Sequence, residues 1–255
     1  MTPDAAVSLK RLRPVIAIDG PAGAGKSTLA AHLARRFGFL NLETGAMYRA
    51  LALKAIENDY SFDEEAPLLA LAAETRITLE PQIDGNRVRL DTIDVSRRIR
   101  DQDVTSAASQ ISVHPQLRAW MVNLQRALGA AGGVVMEGRD IGTAVFPDAE
   151  VKIFLDAAPE VRGNRRFRQG PTNDQPSDTG NSSRQMPEVQ TAEQQRAGEQ
   201  AIVAELKERD HRDRTRAQSP LQPAADAIIL DSTTMSLEEV LAAAEEIVRA
   251  HLPIS

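Results

Sequence analysis

Cysteine is absent from this 255-residue chain, which excludes a disulfide framework and a thiolate metal site. Histidine is scarce: there are four, scattered and without a partner at the spacing of zinc ligands, so they are expected to be structural or surface residues. No apolar run approaches the roughly 20 residues that span a bilayer, and mean hydropathy is −0.31. The opening MTPDAAVSLKRLRP has basic side chains but no apolar h-region, so residues 1–14 are expected to be a short flexible leader, not a signal peptide. An excess of positive charge is missing too. The net charge of −6 argues against a coat for nucleic acid. Lysine supplies only five of the 30 basic residues, leaving 25 arginines. The planar arginine fork suits phosphate, although a GC-rich coding sequence would leave the same bias. No repeat of 20 to 50 residues is present. The expected setting is the cytoplasm, with neither membrane nor nucleic acid as a partner.

What is present begins at residue 20. GPAGAGKS matches the phosphate-binding pattern G-x-x-x-x-G-K-[ST] in full and follows the apolar run Val15–Ile18. Gly20, Gly23 and Gly25 allow positive-φ backbone and a close approach to a ligand. The loop residues Gly20, Pro21, Ala22, Gly23, Ala24, Gly25, Lys26, Ser27 and Thr28 would wrap the phosphates, their N–H groups (Pro21 has none) converging on phosphate oxygens at the start of a helix. Lys26 would carry the cation for the outer phosphates, and the Ser27 hydroxyl would ligate Mg²⁺. Helical spacing follows, with Leu29, Leu33 and Phe37 on one face. The pattern points to a nucleoside triphosphate.

Apolar β-branched runs alternate with helical patterns along the chain, which predicts an α/β fold around a parallel sheet. Five strands are expected, at 15–19, 39–42, 133–137, 151–155 and 227–230, with helices at 25–37, 45–57, 115–130, 158–168, 192–212 and 237–250. Ser236 and Glu239 form a capping box before the last helix. Two stretches break the rhythm. Residues 76–95 alternate about an Asp84-Gly85 turn and predict a small antiparallel hairpin, inserted between the second helix and the third core strand. Residues 169–190 are rich in Gly, Pro, Ser, Asn and Gln, and predict a flexible loop.

The loop alone is shared by kinases, GTPases and motors. Neither N-K-x-D nor D-x-x-G occurs, which removes the regulatory GTPases. A small-molecule kinase needs a second phosphate site and arginines on a mobile flap, because phosphoryl transfer is mostly positioning and charge neutralisation. EGRDIGT (137–143) puts Arg139 and Asp140 at the carboxyl end of a parallel strand, the ligand edge of such sheets. Arg162, Arg165, Arg166 and Arg168 precede the flexible loop, and KERDHRDRTR (207–216) follows it. Most of these charges are expected to be ion pairs on a solvated face, with two to four arginines reaching phosphates. Trp120 is expected to be core packing.

These motifs, together with TGAMYR (44–49), AASQ (107–110), VFPDA (145–149), VKIFLDA (151–157) and PAADAIILDST (223–233), resemble the bacterial cytidylate kinases, in order from Val15 to the last helix. The resemblance implies a P-loop NTPase core like adenylate kinase, with a five-stranded parallel sheet sandwiched by helices. It implies an inserted nucleotide-binding subdomain at 76–105 and a lid region at 160–216, within a core of 15–255. It also implies transfer of the γ-phosphate of ATP to CMP or dCMP, with Mg²⁺, by a monomer. Residue by residue, Thr44 would bond near the acceptor, while Tyr48 and Arg49 would pack on it and bind its phosphate. Ser109 and Arg118 would read the cytosine ring, and Arg139 and Asp140 would sit at the α-phosphate and the base amino group. Arg165 would bind the transferring phosphates, Arg209 the acceptor phosphate, and Asp213 with Arg216 the sugar. The 169–190 segment and the leader are longer than the family usually carries. Kinases for UMP, AMP or a sugar acid, and a regulator that binds nucleotide without turnover, are the alternatives; Lys26, Asp140 and the lid arginines weigh against the regulator.

Overall fold

The computed structural model describes residues 11–82, 85–169 and 192–252. Most of the expected leader, Asp84 of the expected turn, and all but the first residue of the expected 169–190 loop lie outside the described residues.

The chain opens with β1 (Val15–Asp19), buried along its whole length, and α1 (Lys26–Phe37). β2 (Leu40–Glu43) and α2 (Thr44–Glu57) follow, then a short α3 (Glu65–Ala73). A three-stranded antiparallel sheet comes next, from β3 (Ile77–Gln82), β4 (Gly85–Leu90) and β5 (Ile93–Asp94). The expected hairpin is therefore extended by one short strand. A 3₁₀ turn (Arg98–Arg100) leads into α4 (Gln102–Ile111) and α5 (Pro115–Gly129). β6 (Val134–Glu137), a π-helical turn (Ile141–Val145), β7 (Val151–Asp156), α6 (Pro159–Gln169), α7 (Ala192–Thr215), β8 (Ile228–Asp231) and α8 (Leu237–His251) complete it.

The central sheet is parallel, in the order β2-β6-β1-β7-β8. Strand alternation splits the core in two. Val15 and Ala17 of β1 face one cluster with α2, α4, α5 and the small sheet, while Ile16 and Ile18 face a second with α1 and α8. Helices thus cover both faces, as a parallel sheet requires. Register sets the functional edge. Glu43 of β2 lies opposite Glu137 of β6, which in turn neighbours Ile18 of β1, so three strands end together beside the glycine-rich loop.

The small sheet is part of the same core. Ile77, Leu79, Val88 and Leu90 are buried with the α2 side chains. Asn86 ties it to the edge strand β2, donating to the Asn41 carbonyl at 2.7 Å and accepting from the Glu43 amide at 2.9 Å. At the other end of the chain the Ser236–Glu239 capping box is formed in both directions, at 3.2 and 2.8 Å. Trp120 packs against the larger cluster, half-buried.

Candidate active site

The loop between β1 and α1 takes its shape from glycines. Gly20 has φ +148° and Gly23 φ +76°, and a Cβ on Gly20 would overlap the Leu155 carbonyl of β7. Gly20 and Pro21 lie beneath the loop and line neither of the two cavities on its surface. The first cavity, of about 1200 Å³, opens between Ala22, Gly23, Lys26 and Ser27 on one wall and α2, α4, α5 and α7 on the others. The second, about 460 Å³, runs along Gly23–Leu29 to the start of α8, and Ala24, Gly25 and Thr28 line it.

Lys26 is buried, and its Nζ donates to the Pro21 carbonyl at 2.7 Å. Burial pushes its pKa down to about 7, and the Arg139 and Arg209 charges add to that against the pull of Glu137. Arg209 is pushed down to about 10 for the same reasons, burial first and then Arg139. Cations that cost each other charge at one spot form a receptor for an anion.

The opposite wall is built by α2, α4, α5 and the β6 edge. Thr44 donates to the Glu137 carbonyl at 2.7 Å, so its hydroxyl is already engaged. Arg49 is ion-paired with Glu43. Arg118 is fully buried, lies 5.6 Å from the Tyr48 ring centroid, and donates to the Ser112 carbonyl at 3.0 Å and to Asp140 at 2.5 Å. Arg139 pairs with Asp213 at 3.0 Å, and Arg216 with Asp213 at 3.5 Å and Asp140 at 4.0 Å. Burial pushes the Tyr48 hydroxyl up to about 12. For Asp213, the charges of Arg139, Arg209 and Arg216 outweigh burial and hold it below the usual carboxylate range.

Tyr48 Oη, Ser109 Oγ, Arg118 Nε and an Arg216 terminal nitrogen are among the buried polar atoms around this cavity that have no hydrogen-bond partner among the described residues. Unpaired buried groups are expensive, and their clustering in one recess equips it for a polar ring and its hydroxyls. Ser27, Thr44, Tyr48, Arg49, Ser109, Arg118, Arg139, Asp140, Arg209, Asp213 and Arg216 all face this first cavity. Arg165 does not; it lines the second, donating to Ser232 Oγ at 3.0 Å and the Ser232 carbonyl at 2.7 Å. Arg166 borders both.

Two features depart from the sequence expectation. Arg162, grouped above with the flap arginines, is 2 % exposed and donates to the carbonyls of Ala157 and Ala22 and to Asp210, all within 2.8 Å. It ties α6 and α7 to the loop and lines neither of these two cavities. Asp210 and Asp213 on α7, and Arg216 just after it, are buried, so the solvated-face expectation holds only for charges such as Lys207 and Glu208. Glu137 was not among the expected site residues. Its carboxylate is buried and has one oxygen without a hydrogen-bond partner among the described residues. Burial and the neighbouring Glu43 raise its pKa. Its place at the end of β6, beside the loop strand, was the available signal.

A glycine-rich loop with a buried lysine, facing an arginine-lined recess across one cleft, defines a P-loop phosphotransferase acting on a small anionic acceptor. The cytidylate kinase profile matches residues 16–250. The chain is 43% identical over 233 residues to a cytidylate kinase of Aeromonas hydrophila, covering 91% of this chain and 93% of that protein. It is 47% identical over 229 residues to one from Pelotomaculum thermopropionicum, with 89% and 92% covered. A third, from Solibacter usitatus, is 44% identical over 243 residues, covering 95% of each. The chain belongs to the cytidylate kinase family.

Proposed function

We propose a set of residue roles by which this enzyme transfers the γ-phosphate of ATP to CMP or dCMP, giving ADP and CDP or dCDP. The observation that carries it is the sharing of one cavity by Lys26 and Ser27 on one wall and Ser109, Arg118 and Asp140 on the other. A donor phosphate chain and an acceptor pyrimidine then meet with their phosphates among Lys26, Arg49, Arg139 and Arg209. One bond forms, from an acceptor phosphate oxygen to the γ-phosphorus, and one breaks, to the oxygen that leaves with ADP. The acceptor is already anionic, so no strong general base and no covalent enzyme intermediate are needed.

Each role follows from the side chain's chemistry. The loop amides from Ala22 to Thr28 cradle the donor, and a triphosphate offsets the repulsion that holds the Lys26 and Arg209 pKa values down. Arg49, released from Glu43, takes the acceptor phosphate with Arg209. Tyr48 packs on the nucleotide. Asp140 accepts from the cytosine amino group, with Ser109 and Arg118 beside it; a uracil carbonyl in that place would leave the carboxylate unpaired and repelled. Asp213 and Arg216 meet the sugar hydroxyls. Arg165, from the second cavity, reaches the donor phosphates when the 160–216 region closes as a lid, and the 76–105 subdomain covers the acceptor.

Mg²⁺ fits this donor set. Ser27 and the unpartnered Glu137 oxygen are hard oxygen ligands beside the loop, and no cluster of three or more His, Asp or Glu suited to an ion exists among the described residues. Phosphates and water would supply the remaining ligands, and the ion would neutralise charge on the β and γ phosphates. No helix among the described residues is long and apolar enough to cross a membrane. Action as a cytoplasmic monomer belongs to the same proposal.

ADP release measured over a panel of nucleoside monophosphates tests the assignment. CMP and dCMP are expected to be the best acceptors. Preference for UMP or AMP would overturn the base-reading roles, and tight ATP binding without turnover would favour a regulator.

A further inference from the structure

We propose that Asp19, at the end of β1, is a positioning residue that leaves Asp140 free to read the acceptor base. The inference rests on the base-reading role given to Asp140 above. Asp140 occupies the position before the Ile141–Val145 turn, with φ −146° and ψ 26°, and its carbonyl accepts from the amides of Ala144 and Val145. An aspartate at the start of a helical turn ordinarily folds its own carboxylate back onto the turn's first free amides. Asp140 makes no such bond. The amides of Ile141 and Gly142 instead donate to the two carboxylate oxygens of Asp19, at 2.8 and 2.7 Å.

The consequence for Asp140 is direct. With the Gly142 amide, one of the two such a cap would take, already bonded to Asp19, the Asp140 carboxylate points at Arg118, 2.5 Å away, and Arg216, 4.0 Å away. Asp19 is 5 % exposed, lines neither cavity, and spends both oxygens on this turn. It is also the residue immediately before Gly20, so one side chain fixes the acceptor turn to the root of the donor loop across 122 positions of sequence. Gly142 permits the approach. A Cβ there would lie 3.3 Å from Asp19 Oδ2 and 3.2 Å from Lys152 Cδ, tighter than ordinary contact. The Gly138 amide, donating to the Ile18 carbonyl at 2.9 Å, holds the preceding backbone in register.

The test is acceptor selectivity in the full chain. Asp19→Asn keeps the shape but presents an amide NH₂ to one of the two backbone donors. The expected result is a fall of about tenfold in the ratio of kcat/KM for CMP to that for UMP, carried by KM for CMP, with KM for ATP within about threefold. A variant that loses activity equally toward both acceptors, with the ratio unchanged, overturns the inference, because a general structural role would act that way. Asp140→Asn is measured alongside. An unchanged ratio in Asp140→Asn refutes the base-reading role itself; a fall there without one in Asp19→Asn refutes only the role of Asp19. Should Asp19→Asn fail to fold, Gly142→Ala displaces the same turn while keeping the Asp19 charge. A fall of about threefold in the ratio supports the inference, and an unchanged ratio in a folded Gly142→Ala overturns it.

Discussion

Lys26 and Asp19 are buried charges seven residues apart: one is proposed to meet a ligand, the other is consumed by the fold. Lys26→Ala removes the cation proposed to neutralise phosphate, whose ammonium among the described residues donates to the Pro21 carbonyl. Turnover is expected to fall by about 100-fold or more, with the unfolding midpoint little changed. Activity within about tenfold of the wild type in a steady-state assay would refute its role. Asp19 carries a pH signature instead. Burial pushes its pKa from the usual 3.8 to about 6, with the Asp140 charge adding to the rise and the Gly142 and Ile141 amides and Lys26 opposing it. Between those values the folded chain holds a proton that the unfolded chain has released, so stability falls as pH rises through the window and is level above it. Relative to Asp19→Asn, the wild type is expected to lose about 2 kcal/mol between pH 4.5 and pH 7. Urea unfolding at the two values measures it; a constant difference would contradict the burial of an ionised carboxylate. At this scale the glycine loop, Arg139 and Asp140 were legible because motif and strand end coincide. Asp19 and Arg162 were not, since Ile141 and Gly142 stand 122 and 123 positions from Asp19, and Asp210 and Ala22 stand 48 and 140 from Arg162, so sequence spacing carries no trace of them.

The elements that could be read were those with period and punctuation. The five core strands, the capped α8 and the loop helix α1 stand within a residue or two of expectation. α3 and α4 were missed for opposite reasons. EAPLLALAA is apolar all round, so no face stands out, and QDVTSAASQI presents small polar residues although Val104, Ala107, Ala108 and Ile111 are buried. β5, two residues long, is below any pattern. The α6–α7 pair makes a sharper prediction. Gly163 abuts the Val203 side chain, where an added Cβ would overlap it. Gly163→Ala forces the helices apart and is expected to cost about 1–3 kcal/mol in urea unfolding. Because α7 carries Arg209 and Asp213, KM for CMP should rise with it. Retention of full stability would mean that the two helices do not close on each other as described.

Across the whole molecule, strand register does the assembling. β2, β6 and β1 end side by side, which places Glu43, Glu137 and Asp19 at one edge and sets the donor loop opposite α2, α4 and α5. The class of fold and the existence of a second site were readable from strand order in sequence and from arginine placement. The pairing of charges inside the cleft was not, because it depends on which helix faces turn inward, as the buried side of α7 illustrates. The central claim is that the cleft passes a phosphoryl group between two bound nucleotides. Tracing the label from γ-labelled ATP in the presence of CMP tests it most directly. The label should appear in CDP in step with ADP, with inorganic phosphate a minor product; label released chiefly as inorganic phosphate, or carried to another nucleotide in preference to CMP, would contradict it.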